Sequence, residues 1–281
     1  MSSNQTYGYH RLDKENYNNI IVPANLKKEI PYDVGYNWNA TNFVCSKIAK
    51  ETPACGFINT TELLKCQTEN DAAAYLIAQS QQPNLIAGEI PINPENNQFI
   101  LLNDFIKVLH FALSNENMLQ VERFVANLSI SALQKETHGV ALCIDADKAN
   151  KNLNIIILEQ HAKRDSGPLD YSHEIDATLK YLQNCFHDIG FQINTFQNQE
   201  PICRQEHVCG IVSSELCRRL LQAADPMKLA QQMDNTRKTN PFKNDMIDAH
   251  QIQKLHQENF QAYQTKLAFE RAKTDNKISS R

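Results

Sequence analysis

The spacing of apolar residues changes along the chain, and each spacing predicts a different element. In FILLNDFIKVLHFALSN, Leu102, Phe105, Ile106 and Leu109 fall on one helical face, with Asn103 or Asp104 available as a cap. NMLQVERFVANL reads as a second helix. The period then shortens. Val140, Leu142 and Ile144 alternate in HGVALCID, the pattern of a half-buried strand. NLNIIILEQ is apolar on both faces at 155–158, which predicts a central strand covered on both sides. The polar DADKANKN between them predicts a β-hairpin.

Further on, Ile175, Leu179, Leu182, Phe186 and Ile189 advance by steps of four and three residues, an amphipathic helix. Gly190 stands where a left-handed C-terminal cap belongs. FQINTFQ predicts a short strand, and the polar loop NQEPICRQEH follows it. In HVCGIVSSELCRRLL, Val212, Leu216 and Leu220 recur every four residues, so one face of that helix is core.

The flanks are less periodic. Residues 1 to about 40 are rich in Asn and Tyr and read as an irregular arm. NTTELLKCQ and NDAAAYLIAQSQQP read as helices, the second stopped by Pro83. GEIPINPENNQ, with Pro91 and Pro94, reads as a loop and a boundary. Beyond Asp225, the stretch from Asn240 is long, polar and helical in pattern, with a thin seam of Ile252, Leu255, Tyr263 and Leu267. The last residues, TDNKISSR, read as frayed. These divisions predict an N-terminal arm and helical region at 1–95, a core unit at 96–225 and a C-terminal helical extension at 226–281.

Composition narrows the partners. A chain of 281 residues with net charge −4 offers no broad basic face, which argues against nucleic-acid binding. Eight scattered cysteines, no C-x-x-C pair and a polar start without a secretory pattern point to free thiols in a reducing compartment and to no structural metal. No apolar run reaches the ~18 residues that a membrane span needs. Nothing in the sequence calls for a cofactor.

One cysteine stands apart. Cys209 precedes Gly210 at a helix start, near the positive end of the helix dipole, where a thiolate is favoured over a thiol. Gly210 allows close approach of a substrate and leaves backbone N–H groups for an oxyanion. A thiol nucleophile also needs a base, and the base needs a third group to orient it. His138 opens the first strand of the expected hairpin and Glu159 closes the second, so the two should meet at one edge of the sheet. His161, His173, His187 and His207 are rival bases, and Asp145 and Asp147 rival third members at the far end of the first strand.

The order His138, Glu159, Cys209-Gly210 resembles the clan of cysteine enzymes that holds the Ulp/SENP proteases of ubiquitin-like proteins and the bacterial YopJ-type acetyltransferases. VCGIVSSELCRRL is similar to the clan's nucleophile helix, and LLNDFI to the W-L-N-D helix that opens the Ulp catalytic domain. The resemblance covers about residues 96–225. It departs at Gly139, where the family has an aromatic, and at Val208, where it often has an acid. The oxyanion glutamine it implies is Gln205, with Gln199 behind it, although the family's glutamine lies further from the cysteine.

The resemblance implies an α+β, Ulp-like cysteine-protease fold. That fold has a central mixed sheet, the nucleophile at the N-terminus of a core helix, and additional N- and C-terminal helices. It implies a cysteine isopeptidase that removes ubiquitin or a ubiquitin-like modifier: Cys209 as nucleophile, His138 as base, Glu159 as orienting carboxylate, Gln205 at the oxyanion. One alternative is a YopJ-like acetyltransferase using the same three residues, which LEQHA and a glutamate third member favour. Against it, Lys163, Arg164, Arg218, Arg219, Arg237 and Lys238 form only short basic pairs. Another is a non-catalytic binding module. A prokaryotic chain of this kind would be an effector acting in a host cell's cytoplasm.

Overall fold

The computed structural model describes residues 38–63, 65–66, 68–114, 119–131, 137–161, 170–205, 208–239, 246–249 and 251–252. The irregular arm expected up to residue 40 and the polar helix expected from Asn240 fall almost wholly outside them. One compact unit takes residues 1–247 and a second takes 248–281.

The first unit is built on a six-stranded sheet in sequential order. Its strands are β1 (Cys55–Ile58), β2 (Asn84–Ile92), β3 (Arg123–Ile130), β4 (His138–Asp147), β5 (Asn152–Leu158) and β6 (Gln192–Gln197). β1, β2 and β3 run parallel, β3–β4 and β4–β5 are antiparallel, and β5–β6 is parallel again. The sheet is therefore mixed and the class is α+β, as expected.

Helices cover both faces. On one, α1 (Trp38–Glu51) lies on β1 and β2, and α6 (Cys209–Gln222) lies on β3 and β4. On the other are α3 (Glu69–Gln79), α4 (Ile100–Ser114) and α5 (Ser172–Phe186). The short α2 (Thr60–Leu63) follows β1, and α7 (Pro226–Thr239) packs on β5 and α6. The main core gathers α3, α4 and α5 against Leu128, Val140, Leu142, Ile155 and Ile157, alternate positions of the central strands. Ala141, Cys143, Ile156 and Leu158, the intervening positions, are buried too. This two-sided cover is why residues 155–158 are apolar without a break.

The hairpin, the helix ending before Gly190 and the cysteine helix form where the pattern placed them, and Gly190 takes a φ of 73°. Three expectations fail. Residues 123–130 are a strand, β3, and not a helix. Val121, Phe124, Val125 and Leu128 do follow helical spacing, but β3 is buried on both faces, and such a strand carries no period of its own. The expected loop at 88–98 begins as strand β2, which runs through Pro91. β1 pairs only as far as Ile58 with Ala87, so beyond that point one side of β2 is an edge, where a missing N–H is tolerated. Finally, α4 starts at Ile100, so Asn103 lies inside the helix, its N–H on the Phe99 carbonyl at 2.7 Å, and does not cap it.

Strands from both sides of residue 95 thus share one sheet, and residues before 96 supply two of them.

Candidate active site

The antiparallel register brings the first two candidates together. Ala141 pairs with Leu158, so continuing the ladder sets Val140 against Glu159 and His138 against His161. His138 and Glu159 are then diagonal neighbours on one face of the sheet end, within reach of side chains this long. His138 Nε2 lies 2.9 Å from Glu159 Oε2, with both residues buried. The carboxylate fixes the tautomer by accepting from Nε2, which leaves Nδ1 for a partner on the ring's other side.

Cys209 is the other side chain bonded to the ring. Gly139 faces α6 so closely that a Cβ there would come within 3.3 Å of the Cys209 carbonyl group. The start of β4 and the first turn of α6 are in contact, and the Cys209 thiol hydrogen-bonds the His138 ring. Burial pushes the Cys209 thiol up. The His138 hydrogen bond, the charge of that ring and the N–H groups of Gly139 and Gly210 outweigh it, and the net shift is down. Burial pushes His138 down, but hydrogen bonds to Cys209 and Glu159 hold it well above the ordinary imidazole range. The two shifts describe a thiolate–imidazolium pair. Burial instead raises the thiols of Cys45, Cys55, Cys66, Cys143, Cys185 and Cys217. Cys209 itself is partly exposed.

The helix that carries Cys209 is pinned to the sheet. Ser214 Oγ donates to the Gly210 carbonyl at 2.7 Å and accepts from Asn127 Nδ2 of β3 at 3.2 Å. Val208, at the N-cap, makes no side-chain capping bond. The N–H groups of Ile211 and Val212 close the first turn on the Val208 carbonyl at 3.0 and 2.9 Å.

Glu159 is held by the loop after β6. Its N–H donates to Asn198 Oδ1 at 2.9 Å, and Asn198 Nδ2 returns a bond to the Glu159 carbonyl at 3.0 Å. The next carbonyl, of Gln160, accepts the N–H groups of Ile202 and Cys203 at 2.9 and 3.2 Å. α7 secures this loop from behind. Asp234 Oδ1 accepts the N–H groups of Gln199 and Glu200, both at 2.8 Å. The buried Arg237 donates from Nε to the Pro201 carbonyl at 2.9 Å. Asn198, Asp234 and Arg237 were not among the sequence candidates. Their work is on backbone groups of a loop, which leaves no periodic or motif signal.

The glutamines stand on the same loop. The Gln205 carbonyl accepts from Gln160 Nε2, and its side-chain oxygen accepts from the Cys203 thiol at 3.7 Å. Gln199 is exposed, its side chain turned back to the Gln197 carbonyl at 3.2 Å. Among the rival bases, His161 is stacked 6.1 Å from His138. His173 and His187 are exposed on and beyond α5, and His207 lies outside the described residues. Asp145 pairs with Arg123 at 2.6 Å and Asp147 caps the hairpin turn through Asn150, so neither reaches His138. Among the described residues no cluster of three His, Cys, Asp or Glu could hold a metal ion, and no helix is long and apolar enough to cross a membrane.

No family model matches the chain, and no curated protein matches it. Among solved structures it overlaps the ASFV pS273R protease at 14% identity, TM-score 0.30, over 44% of this chain and 45% of that one. It overlaps the Legionella pneumophila effector protein RavZ at 10% identity, TM-score 0.34, over 52% and 47%. The SUMO protease Ulp1, with its catalytic cysteine oxidized to a sulfinic acid, overlaps at 13% identity, TM-score 0.31, over 74% and 78%. The chain thus spans under half the length of the first two. The fold class rests on the sheet and helices described above and not on these overlaps.

Proposed function

We propose that the chain is a cysteine isopeptidase that removes ubiquitin or a ubiquitin-like modifier from protein substrates. One observation carries the reading: Cys209, His138 and Glu159 form a single line of contacts at one end of the sheet, with the thiol pushed down and the imidazole up. The resemblance of the same residues to the Ulp/SENP proteases supports the substrate class. On this reading it is an effector working in the reducing cytoplasm of a host cell.

The Cys209 thiolate attacks the carbonyl carbon of the bond between the modifier's C-terminus and a lysine amine. Negative charge gathers on the carbonyl oxygen, where the Cys209 N–H and the Gln205 amide are the donors we assign. The C–N bond breaks as His138 gives its proton to the departing amine, leaving a thioester on Cys209. Water, losing a proton to His138, then cleaves the thioester and releases the modifier's carboxylate. Glu159 stabilises the imidazolium in the first half and holds the ring in line throughout.

The test uses ubiquitin and its relatives bearing a C-terminal electrophile, mixed with wild type and with Cys209→Ala. A modifier adduct that disappears in the alanine variant supports the reading. Labelling of another cysteine removes Cys209 from its role. A glutamate as third member also suits the YopJ-type acetyltransferases. A blank with every modifier, together with acetyl transfer from acetyl-CoA that needs Cys209, would favour that second activity. A folded protein inactive in both assays would put the binding-module reading in front.

A further inference from the structure

Tyr171 immediately precedes α5 and is 2% exposed, in the main core with Val140 and Ile157. Its ring lies on the His138 imidazole, with centroids 4.5 Å apart and planes 15° from parallel. The reason is topological. His138 belongs to the face of β4 that α5 covers, whereas Cys209 belongs to the face that α6 covers. The imidazole must therefore lean round the strand end to reach the thiol, and something on the α5 side has to fill the space behind it. The residue after the base cannot do so. Gly139 points at α6, and any side chain there meets Ser213 Oγ at 3.1 Å.

We propose that Tyr171 is the positioning residue of the base. Its ring fixes the imidazole plane between Glu159 and Cys209, keeps water off one face, and stabilises the imidazolium through its π-electrons. A cation within ~6 Å of an aromatic centroid is attracted to the ring face, more strongly when water is excluded. Among the described residues, Cys209, Glu159, His161 and Tyr171 stand against the His138 ring. The inference rests on the nucleophile reading above and adds a residue that no motif pointed to.

The test reads Cys209 without any substrate. Iodoacetamide alkylation is followed from pH 4 to 10 by the mass of the peptide carrying Cys209, in wild type, Tyr171→Phe and Tyr171→Leu. Wild type and Tyr171→Phe should share a midpoint below the ordinary thiol range. Tyr171→Leu, by freeing the imidazole plane and loosening its bond to the thiol, should shift it upward and slow alkylation at pH 6 about ten-fold, about one pH unit. Where Tyr171→Leu does not fold, fluorinated phenylalanines at 171 keep the shape while draining the ring face, and the midpoint of the His138 imidazole, followed by NMR, should fall with each added fluorine. Unchanged midpoints in folded Leu or fluorinated variants overturn the inference and leave the nucleophile intact. A wild-type midpoint in the ordinary thiol range overturns both readings together.

Discussion

Gly139 and Cys209 touch through their backbones: a methyl group on Gly139 would stand 3.3 Å from both the carbonyl carbon and the carbonyl oxygen of Cys209. That spacing is tighter than most real Cβ contacts, so a side chain at residue 139 would make β4 or α6 give way by a few tenths of an ångström. The approach is what carries the thiol to a ring mounted on the opposite face of the sheet. Gly139→Ala should push the first turn of α6 outward by a few tenths of an ångström and destabilise the fold by about 1–3 kcal/mol. Cys209 alkylation should slow more than thermal stability alone explains. Gly139→Trp, which restores the aromatic the resemblance calls for, should abolish reactivity in whatever fraction folds. A fully reactive tryptophan variant would show that β4 and α6 do not meet as described.

The bond from His138 Nε2 to Glu159 Oε2 predicts a particular pH signature. A thiolate–imidazolium pair holds as many protons as the neutral thiol and imidazole of the unfolded chain between about pH 6.5 and 9.0, the unperturbed values of the two groups. From the lowered thiol value up to 9.0 the raised imidazole makes stability fall with pH and the lowered thiol makes it rise, so the two slopes cancel. The pair should leave thermal stability flat there while Cys209 stays reactive well below pH 9. Glu159→Gln keeps the shape but removes the charge. It should raise the alkylation midpoint and lower turnover by about 10²–10⁴-fold, and His138→Ala should do at least as much. A midpoint unmoved in both variants would separate the thiol from its base.

α7 predicts a dependence that the motifs do not hint at. Asp234 and Arg237 hold the loop at 199–202, and that loop's neighbours hold the Glu159 backbone. A chain ending at residue 225 contains every sequence candidate but lacks both. It should therefore be inactive toward the modifier probes. In the full chain, Asp234→Ala leaves two N–H groups without their acceptor, at a cost of about 1–3 kcal/mol each if they stay dry. Melting temperature and probe labelling should drop together. A fully active chain ending at 225 would show that the loop needs no support from α7.

How much of this was legible follows from where each residue does its work. His138, Glu159 and Cys209 stand at strand and helix ends, and the hairpin's two-residue period was enough to bring the first two together. The failures lie where burial is two-sided. β3 mimicked a helix because both of its faces are covered, and β2 hid behind Pro91 because its pairing with β1 stops short. Tyr171, Asn198 and Arg237 support the site through a ring face or through backbone groups, contacts that only the folded chain creates. Gln205 was placed by resemblance. Its carbonyl accepts from Gln160, just past β5, and its side-chain oxygen from Cys203 in its own loop, contacts that no spacing in the sequence encodes.

Glu89 predicts a pH dependence of stability that has nothing to do with the thiol. It follows the bulge in β2, half-buried beneath α1, beside Ser129 and Thr41. Burial raises its carboxyl from 4.5 to about 7, against hydrogen bonds from Ser129 and Thr41 that lower it. Between those two values the folded state holds a proton that the unfolded chain has lost, so stability falls as pH rises from about 4.5 and levels off above about 7. Glu89→Gln keeps the hydrogen-bonding shape without the charge. It should be neutral near pH 4 and stabilising at pH 8 by about 1–3 kcal/mol, the upper figure being the whole shift and the lower allowing for solvent. Urea melts of both proteins at pH 4, 6 and 8 give the difference directly. A variant equally stable to wild type at pH 8 would mean that Glu89 meets water freely. One less stable there would mean that its charge has a partner. Because Ser129 pairs with Gly139 across β3 and β4, the same series read by Cys209 alkylation also tells whether charging Glu89 is felt at the thiol.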